Sequence, residues 1–279
     1  MNLIDLCARF KITPLSELTI PSYLLGAFRR KSITFSNGLT DEQTIVYWFQ
    51  TKTFTIDLRL KDPATTPVLE RQGWIGDTVW DQDTQLLSWN ITANYQHHIQ
   101  WPEPAKLHAI GNAIFEFSPS NAYVEDWRQQ ATQGLYLGLR LFKIENIEQQ
   151  KSYAADGGII ICDHFIAYAK TRHSDIQRHI NEHIQNFEVS ISLNNQTIDF
   201  STVTHHLGQK IDLDHFEIVD GYTLVQHQTI DGEKCRLYFR LDIYQPDFIF
   251  TTKSETSIAS QHWLDQEKSH LLHHAKITL

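Results

Sequence analysis

From Leu87 to Trp101 the odd positions read Leu87, Trp89, Ile91, Ala93, Tyr95, His97, Ile99 and Trp101, and the even ones Ser88, Asn90, Thr92, Asn94, Gln96, His98 and Gln100. With His97 as the one exception, apolar and polar side chains alternate with period two, the pattern of a strand with one buried and one wet face. The run is much longer than an average strand, so it must bend, as strands in a barrel wall do, or break near His97-His98.

Shorter copies of the pattern lie on both sides. Phe54, Ile56, Leu58 and Leu60 alternate with Thr53, Thr55, Asp57 and Arg59, and Leu135, Leu137, Leu139 and Leu141 occupy every second position of another segment. Phe187, Val189, Ile191 and Leu193, then Leu237, Phe239, Leu241 and Ile243, repeat it later in the chain. Asn37-Gly38 and Asp231-Gly232 have the chemistry of tight hairpin turns, and Asn194-Asn195 reads as a third. Strands joined by short turns, with no helix between each pair, form an antiparallel sheet. One helix is predicted near 174–185, where Ser174, Asp175, Ile176 and Gln177 suit a capping box and Ile176, Ile180 and Ile184 form an apolar stripe. A weaker one is predicted from Trp263 to His274.

The chain carries 24 Lys plus Arg against 33 Asp plus Glu, a formal net charge of −9, with no long block of either sign. That argues against a nucleic-acid partner, which requires a clustered basic face. Arg29, Arg30 and Lys31, the densest basic run, read as a solvated edge or as salt-bridge partners. Asp5 and Arg9 interrupt the apolar start, so no secretory signal is expected, and no apolar run approaches the length that spans a bilayer. Cys7, Cys162 and Cys235 are odd in number and far apart, fitting neither a disulfide framework nor a zinc knuckle. A cytoplasmic protein without a membrane partner is the expectation.

The polar stretch from Asn146 to Asp156, followed by Gly157-Gly158-Ile159-Ile160-Ile161, sets the domain junction between Arg128 and Asp156. Three units are expected: a helical N-terminal segment at 1–22, a first β-barrel at 23–145, and a second at 146–279 that includes the helix near 174–185. The strand from Leu135 to Ile144 suits either the close of the first barrel or the opening of the second.

Several stretches resemble a bacterial family of uncharacterised proteins: Leu25-Gly26-Ala27-Phe28-Arg29-Arg30-Lys31-Ser32-Ile33, Tyr47-Trp48-Phe49-Gln50-Thr51, Gly73-Trp74-Ile75-Gly76-Asp77-Thr78, Glu125-Asp126-Trp127-Arg128 and Asp163-His164-Phe165-Ile166-Ala167-Tyr168-Ala169. That family in turn is similar to fungal proteins built from two tandem lipocalin-like (calycin-like) barrels. The resemblance implies a mostly β fold, two tandem antiparallel lipocalin-like β-barrels with a few short flanking helices. It also sets Gly26-Ala27-Phe28 where such barrels carry Gly-x-Trp, with Phe in place of the indole that plugs the barrel floor. It brings no activity and no catalytic residues.

His179-Ile180-Asn181-Glu182-His183 matches H-x-x-E-H, a zinc-site spacing on a helix, but among 15 histidines it reads better as a solvated helix shoulder. Adjacent pairs such as His205-His206 point to opposite faces of a strand and do not chelate one ion. No metal or cofactor is expected. Asp163, His164 and Tyr168 form the most polar cluster, with His164 and Tyr168 on one face, yet no nucleophile elbow accompanies them. Asp57 and Arg59 share a face, with Arg30 nearby if the first strand belongs to the same barrel; they form an internal ion pair, or they read a ligand's polar end at the cavity mouth. Trp89 and Tyr95, beside Tyr47, are expected to line an interior pocket.

The leading functional expectation is non-catalytic binding of a small apolar or amphipathic ligand by Arg30, Tyr47, Asp57, Arg59, Trp89, Tyr95, His164 and Tyr168. The alternatives are a solidly packed structural module with a protein partner, and a small-molecule enzyme of unassigned class. Interior volume discriminates: a cavity of about 300 Å³ or more favours a ligand, and a filled interior favours the structural role.

Overall fold

The computed structural model describes residues 1–95, 103–171, 187–194, 196–230, 232–254 and 256–275, and in it the alternating segments assemble into two antiparallel sheets, one after the other along the chain. The first sheet contains β1 (Gly26–Phe35), β2 (Thr40–Asp41), β3 (Ile45–Gln50), β4 (Phe54–Leu60), β5 (Gln72–Asp81), β6 (Leu86–Asn94), β7 (Ala105–Ile110), β8 (Ala113–Phe117) and β9 (Tyr123–Gln129). The second contains β10 (Gln133–Asn146), β11 (Lys151–Cys162), β12 (Phe165–Thr171), β13 (Phe187–Ser192), β14 (Phe200–Ser201), β15 (Phe216–Ile218), β16 (Thr223–Ile230) and β17 (Glu233–Ile249). Helices α1 (Leu3–Cys7) and α2 (Ile258–His273) flank them. The predicted helix at 174–185, with its H-x-x-E-H pattern, and the run beyond Tyr95 lie outside the described residues.

The first sheet closes on itself. Strand β1 pairs with β3 through Gly26 to Arg29 and with β9 through Phe28 to Phe35, so the series β1, β3, β4, β5, β6, β7, β8, β9 returns to its start as an eight-stranded barrel. A register shift between Arg30 and Ser32 marks a bulge at Lys31, a device that bends and twists a strand enough to join both neighbours. The Asn37-Gly38 turn then joins β1 to β2, with Gly38 at φ +84° and its N–H donating to Phe35 O at 2.8 Å. Gly76 in β5 is required for a different reason: a Cβ there would lie 2.7 Å from Asn90 O on β6.

The barrel wall is apolar on its outer side where it meets the second sheet, and carries charge on its inner side. On β4, Asp57 pairs with Trp48 and Trp74 and faces the barrel interior, while Ile56 pairs with Phe49 and Ile75 on the outside. That outer face packs against Ile160, Ala167, Ala169, Phe187, Val189 and Ile191 of the second sheet in one continuous core. Polar bonds cross the same boundary: Tyr136 donates its hydroxyl to Gln50 O at 2.5 Å, Thr53 Oγ1 donates to Asp242 at 2.6 Å, and Arg71 Nη1 donates to Thr202 O at 3.0 Å.

The opposite face of the second sheet buries its own core, formed by Leu137, Leu139, Ile159, Ile161, Leu237 and Phe239 with Leu3 and Leu6 of α1. Two barrels were expected; among the described residues only the first sheet closes. The second is open, with β14 and β15 at its edges. It is covered instead by the irregular chain on either side of β14, where Ile198 and Ile211 enter the core and Ile198 N donates to Gln209 O. The N-terminal segment covers the β15 edge, Phe216 N donating to Met1 O. The strand that suited either domain, β10, belongs wholly to the second sheet, paired with β11 and β17.

Candidate functional site

Alternation around the closed barrel sends a specific set of side chains inward. Trp48 of β3, Trp74 of β5, Trp89 of β6 and Trp127 of β9 form the walls of an interior cavity, with Ile91 and Tyr123 beside them. Their rings meet edge to face: Trp48 stands at 90° to Trp89 with centroids 5.9 Å apart and at 72° to Trp127 at 5.6 Å, and Trp74 stands at 70° to Trp89 at 6.4 Å. Phe28, in the place of the expected floor indole, stacks on Trp48 at 4.8 Å. The result is a box of indole faces and edges.

Charged groups complete the lining: Asp57, Arg59, Glu103, Glu116 and Glu125. Arg59 donates through Nε to Asp57 Oδ1 at 2.9 Å. Burial works against the Arg59 charge, but Asp57, then Glu125 and Glu116, outweigh it and hold the guanidinium firmly protonated. Arg30, opposite Trp127 on the same inner face, stands beside the cavity and donates to Glu125 Oε1 at 2.7 Å and to Asp41 Oδ2 at 3.0 Å. Each interior arginine is thus matched to a carboxylate, the arrangement a low-dielectric site demands.

Glu116 is the carboxylate left over. It stands directly opposite Glu125 across the β8–β9 pair, accepts from Trp127 Nε1 at 3.0 Å and from the Tyr123 hydroxyl at 3.4 Å, and has no cation at salt-bridge distance among the described residues. Burial, and then the neighbouring Glu125 charge, push its pKa up to about 8. At neutral pH it is therefore mostly protonated, a neutral acid in an aromatic box. The Trp89 indole N–H, also buried, meets no acceptor among the described residues. An unsatisfied buried donor calls for an explanation such as a water or a ligand atom.

The part of this cavity wide enough for a whole water molecule is about 30 Å³, and the open space within the lining, its solvent-facing mouth included, is about 490 Å³. The lining is of the expected kind, Trp and Tyr around an Arg–carboxylate pair, but the free interior falls well below 300 Å³. It suits a few waters or one compact group, not a lipid chain.

Of the residues singled out from the sequence, Asp57, Arg59 and Trp89 meet in this cavity, and Arg30 borders it through Glu125. Tyr47 does not: it lies on the outer face of β3, under the Arg29 guanidinium and against Phe200 of the second sheet with ring centroids 5.3 Å apart. Tyr95 does not line the cavity either, because the register between β5 and β6 shifts at Ile75/Gly76 and exchanges the two faces of the strand. His164 sits in the exposed turn between β11 and β12, its Nδ1 2.7 Å from Asp163 Oδ2. Tyr168 lies in β12 of the second sheet, beside a separate polar cleft of about 180 Å³ shared with Lys170 and Glu188. Glu116 and Tyr123 escape the sequence reading as cavity residues, and Glu125 and Trp127 enter it only through the Glu125-Asp126-Trp127-Arg128 resemblance. For Glu116 the signal is present in Ile114-Phe115-Glu116-Phe117, where an acid occupies a position in step with a buried Ile.

Among the described residues no group of His, Cys, Asp or Glu side chains is disposed to hold a metal ion. All three cysteines are buried and free. No described helix is long and apolar enough to cross a membrane. The fold and cavity define a β-barrel protein with a charged, indole-walled interior. Compared with protein-family models, curated proteins and solved structures, the chain matches none, so what stands of the family resemblance is the barrel itself.

Proposed function

We propose that the first barrel is a non-catalytic binding module that holds a small amphipathic molecule in its interior, in the manner of a lipocalin-like barrel. The observation that carries this reading is the cavity itself: four indoles surround buried carboxylates and an arginine, and one indole N–H there meets no acceptor. Burying charges and an unmatched acid costs stability that an apolar filling would avoid. A site that pays this cost without need is harder to account for than one that uses it. The small free volume limits the ligand to a compact body rather than a long chain.

A second reading is a structural or protein-interaction module, favoured by the same small volume and by the solid core of the open sheet. Native mass spectrometry of the full chain purified from its host, paired with displacement followed by Trp fluorescence, separates the two. Binding requires a copurifying mass that leaves on unfolding and a ligand that perturbs the indoles. A chain that carries no such mass and whose fluorescence no small molecule alters belongs to the structural class.

A further inference from the structure

The cavity's chemistry narrows the ligand, given the binding reading above. Four of its lining side chains are acids, Asp57, Glu103, Glu116 and Glu125, against one cation, Arg59, which Asp57 already engages. An anionic ligand would meet this surplus at short range, and repulsion inside a low-dielectric barrel is weakly screened. A neutral apolar ligand would bury the acids with nothing gained. A cation meets both features of the wall: the faces of indole rings attract positive charge, and rings set at steep angles to one another present such faces from several sides at once.

We propose that the barrel interior binds a small organic cation, an ammonium centre on a compact alkyl body with an oxygen close by, and that Glu116 is the carboxylate that meets its charge. The oxygen accepts the Trp89 N–H that lacks a partner among the described residues. The choice of Glu116 follows by elimination, since Arg30 holds Glu125 and Arg59 holds Asp57, while Glu103 accepts from Ser120 N and Ser120 Oγ at the mouth. The groups facing Glu116 are Glu125, Tyr123 and Trp127 from β9 and Arg59 from β4. None of these supplies a second cation to neutralise it. Uptake is therefore an exchange: one cation enters, the Glu116 proton leaves to solvent, and the net charge of the interior is unchanged.

The test uses the full chain and isothermal titration calorimetry between pH 6 and 9, with choline, its neutral isostere 3,3-dimethyl-1-butanol, butyrate and tetramethylammonium as probes. Choline is expected to bind at least tenfold more tightly than the neutral isostere, and butyrate not at all. Its affinity should rise with pH, by at most about tenfold per unit, and level off above pH 8, with proton release seen as a buffer-dependent heat. Glu116→Gln should weaken choline and flatten the pH profile, and Trp89→Phe should weaken choline more than tetramethylammonium; far-UV circular dichroism confirms that each variant is folded. If the neutral isostere or butyrate binds as well as choline, the cation assignment fails while the binding module survives. If all four probes are silent to millimolar concentration, the cation assignment fails, and the binding module fails with it only where native mass spectrometry also finds no copurifying mass.

Discussion

Glu116 and Glu125 are direct cross-strand partners on the inner wall of the barrel, two acids side by side where like charges oppose folding. The pair is tolerable because Arg30 neutralises Glu125 and because Glu116, with its pKa pushed up to about 8, keeps its proton. Since the folded chain holds a proton that the unfolded chain loses near its ordinary carboxylate range, the folded state binds more protons between that range and pH 8. Stability from this group is thus greatest at low pH and falls as pH rises through the window, by at most about 1.4 kcal/mol per unit. Urea unfolding at pH 5, 6.5 and 8 should show this fall in the native chain and its absence in Glu116→Gln, which keeps an acceptor for Trp127. Parallel pH profiles for the two proteins would refute the assignment.

The Asp57–Arg59 pair gives a second expectation. Asp57 is 2% exposed and its partner's side chain 19%. Removing Asp57 takes its nearest carboxylate from a buried guanidinium, so Asp57→Ala should cost about 3–5 kcal/mol in chemical denaturation. Replacing both, as Asp57→Leu with Arg59→Met, should cost markedly less than the single change, because the guanidinium goes together with its nearest carboxylate. Equal losses would mean that packing rather than charge governs the position.

How far the sequence foretold these sites depends on what alternation can and cannot report. Phe54, Ile56, Leu58 and Leu60 announced β4 and set Asp57 and Arg59 on its other face, as observed. Period two cannot say which face looks inward, and here the apolar one meets the second sheet while the charged one lines the barrel. Tyr47 was misplaced for the same reason: it belongs to the face that Phe200 covers. Tyr95 was misplaced by a bulge, a one-residue insertion that exchanges faces without leaving a mark in the hydropathy pattern. Closure also escapes a single-strand reading, because it depends on β1 pairing with both β3 and β9, whereas β14 and β15, two and three residues long, end an open sheet.

Gly76 tests the β5–β6 contact. A methyl group there would press on Asn90 O in the neighbouring strand, which is backbone and has little room to yield. Gly76→Ala should lower stability by about 1–3 kcal/mol, the usual cost of overpacking, read as a drop in the thermal midpoint. Gly38→Ala is the contrasting control for crowding: nothing surrounds that position, and its penalty comes from φ +84° alone.

The shared core between the barrel and the open sheet makes the last expectation one of cooperativity. Ile56, fully buried on the barrel's outer face, belongs to the same cluster as Val189 and Ile191 of the second sheet, and Tyr136 reaches across to Gln50 O. Neither sheet can therefore lose its structure without exposing apolar wall on the other. Tryptophan fluorescence, governed largely by the barrel indoles, and far-UV circular dichroism, governed by all the strands, should trace one coincident unfolding transition. Ile56→Ala should shift both curves together by about 2–5 kcal/mol. If instead the fluorescence curve moves alone, the two sheets unfold as separate units, and the apolar contact between them contributes little to holding the chain together.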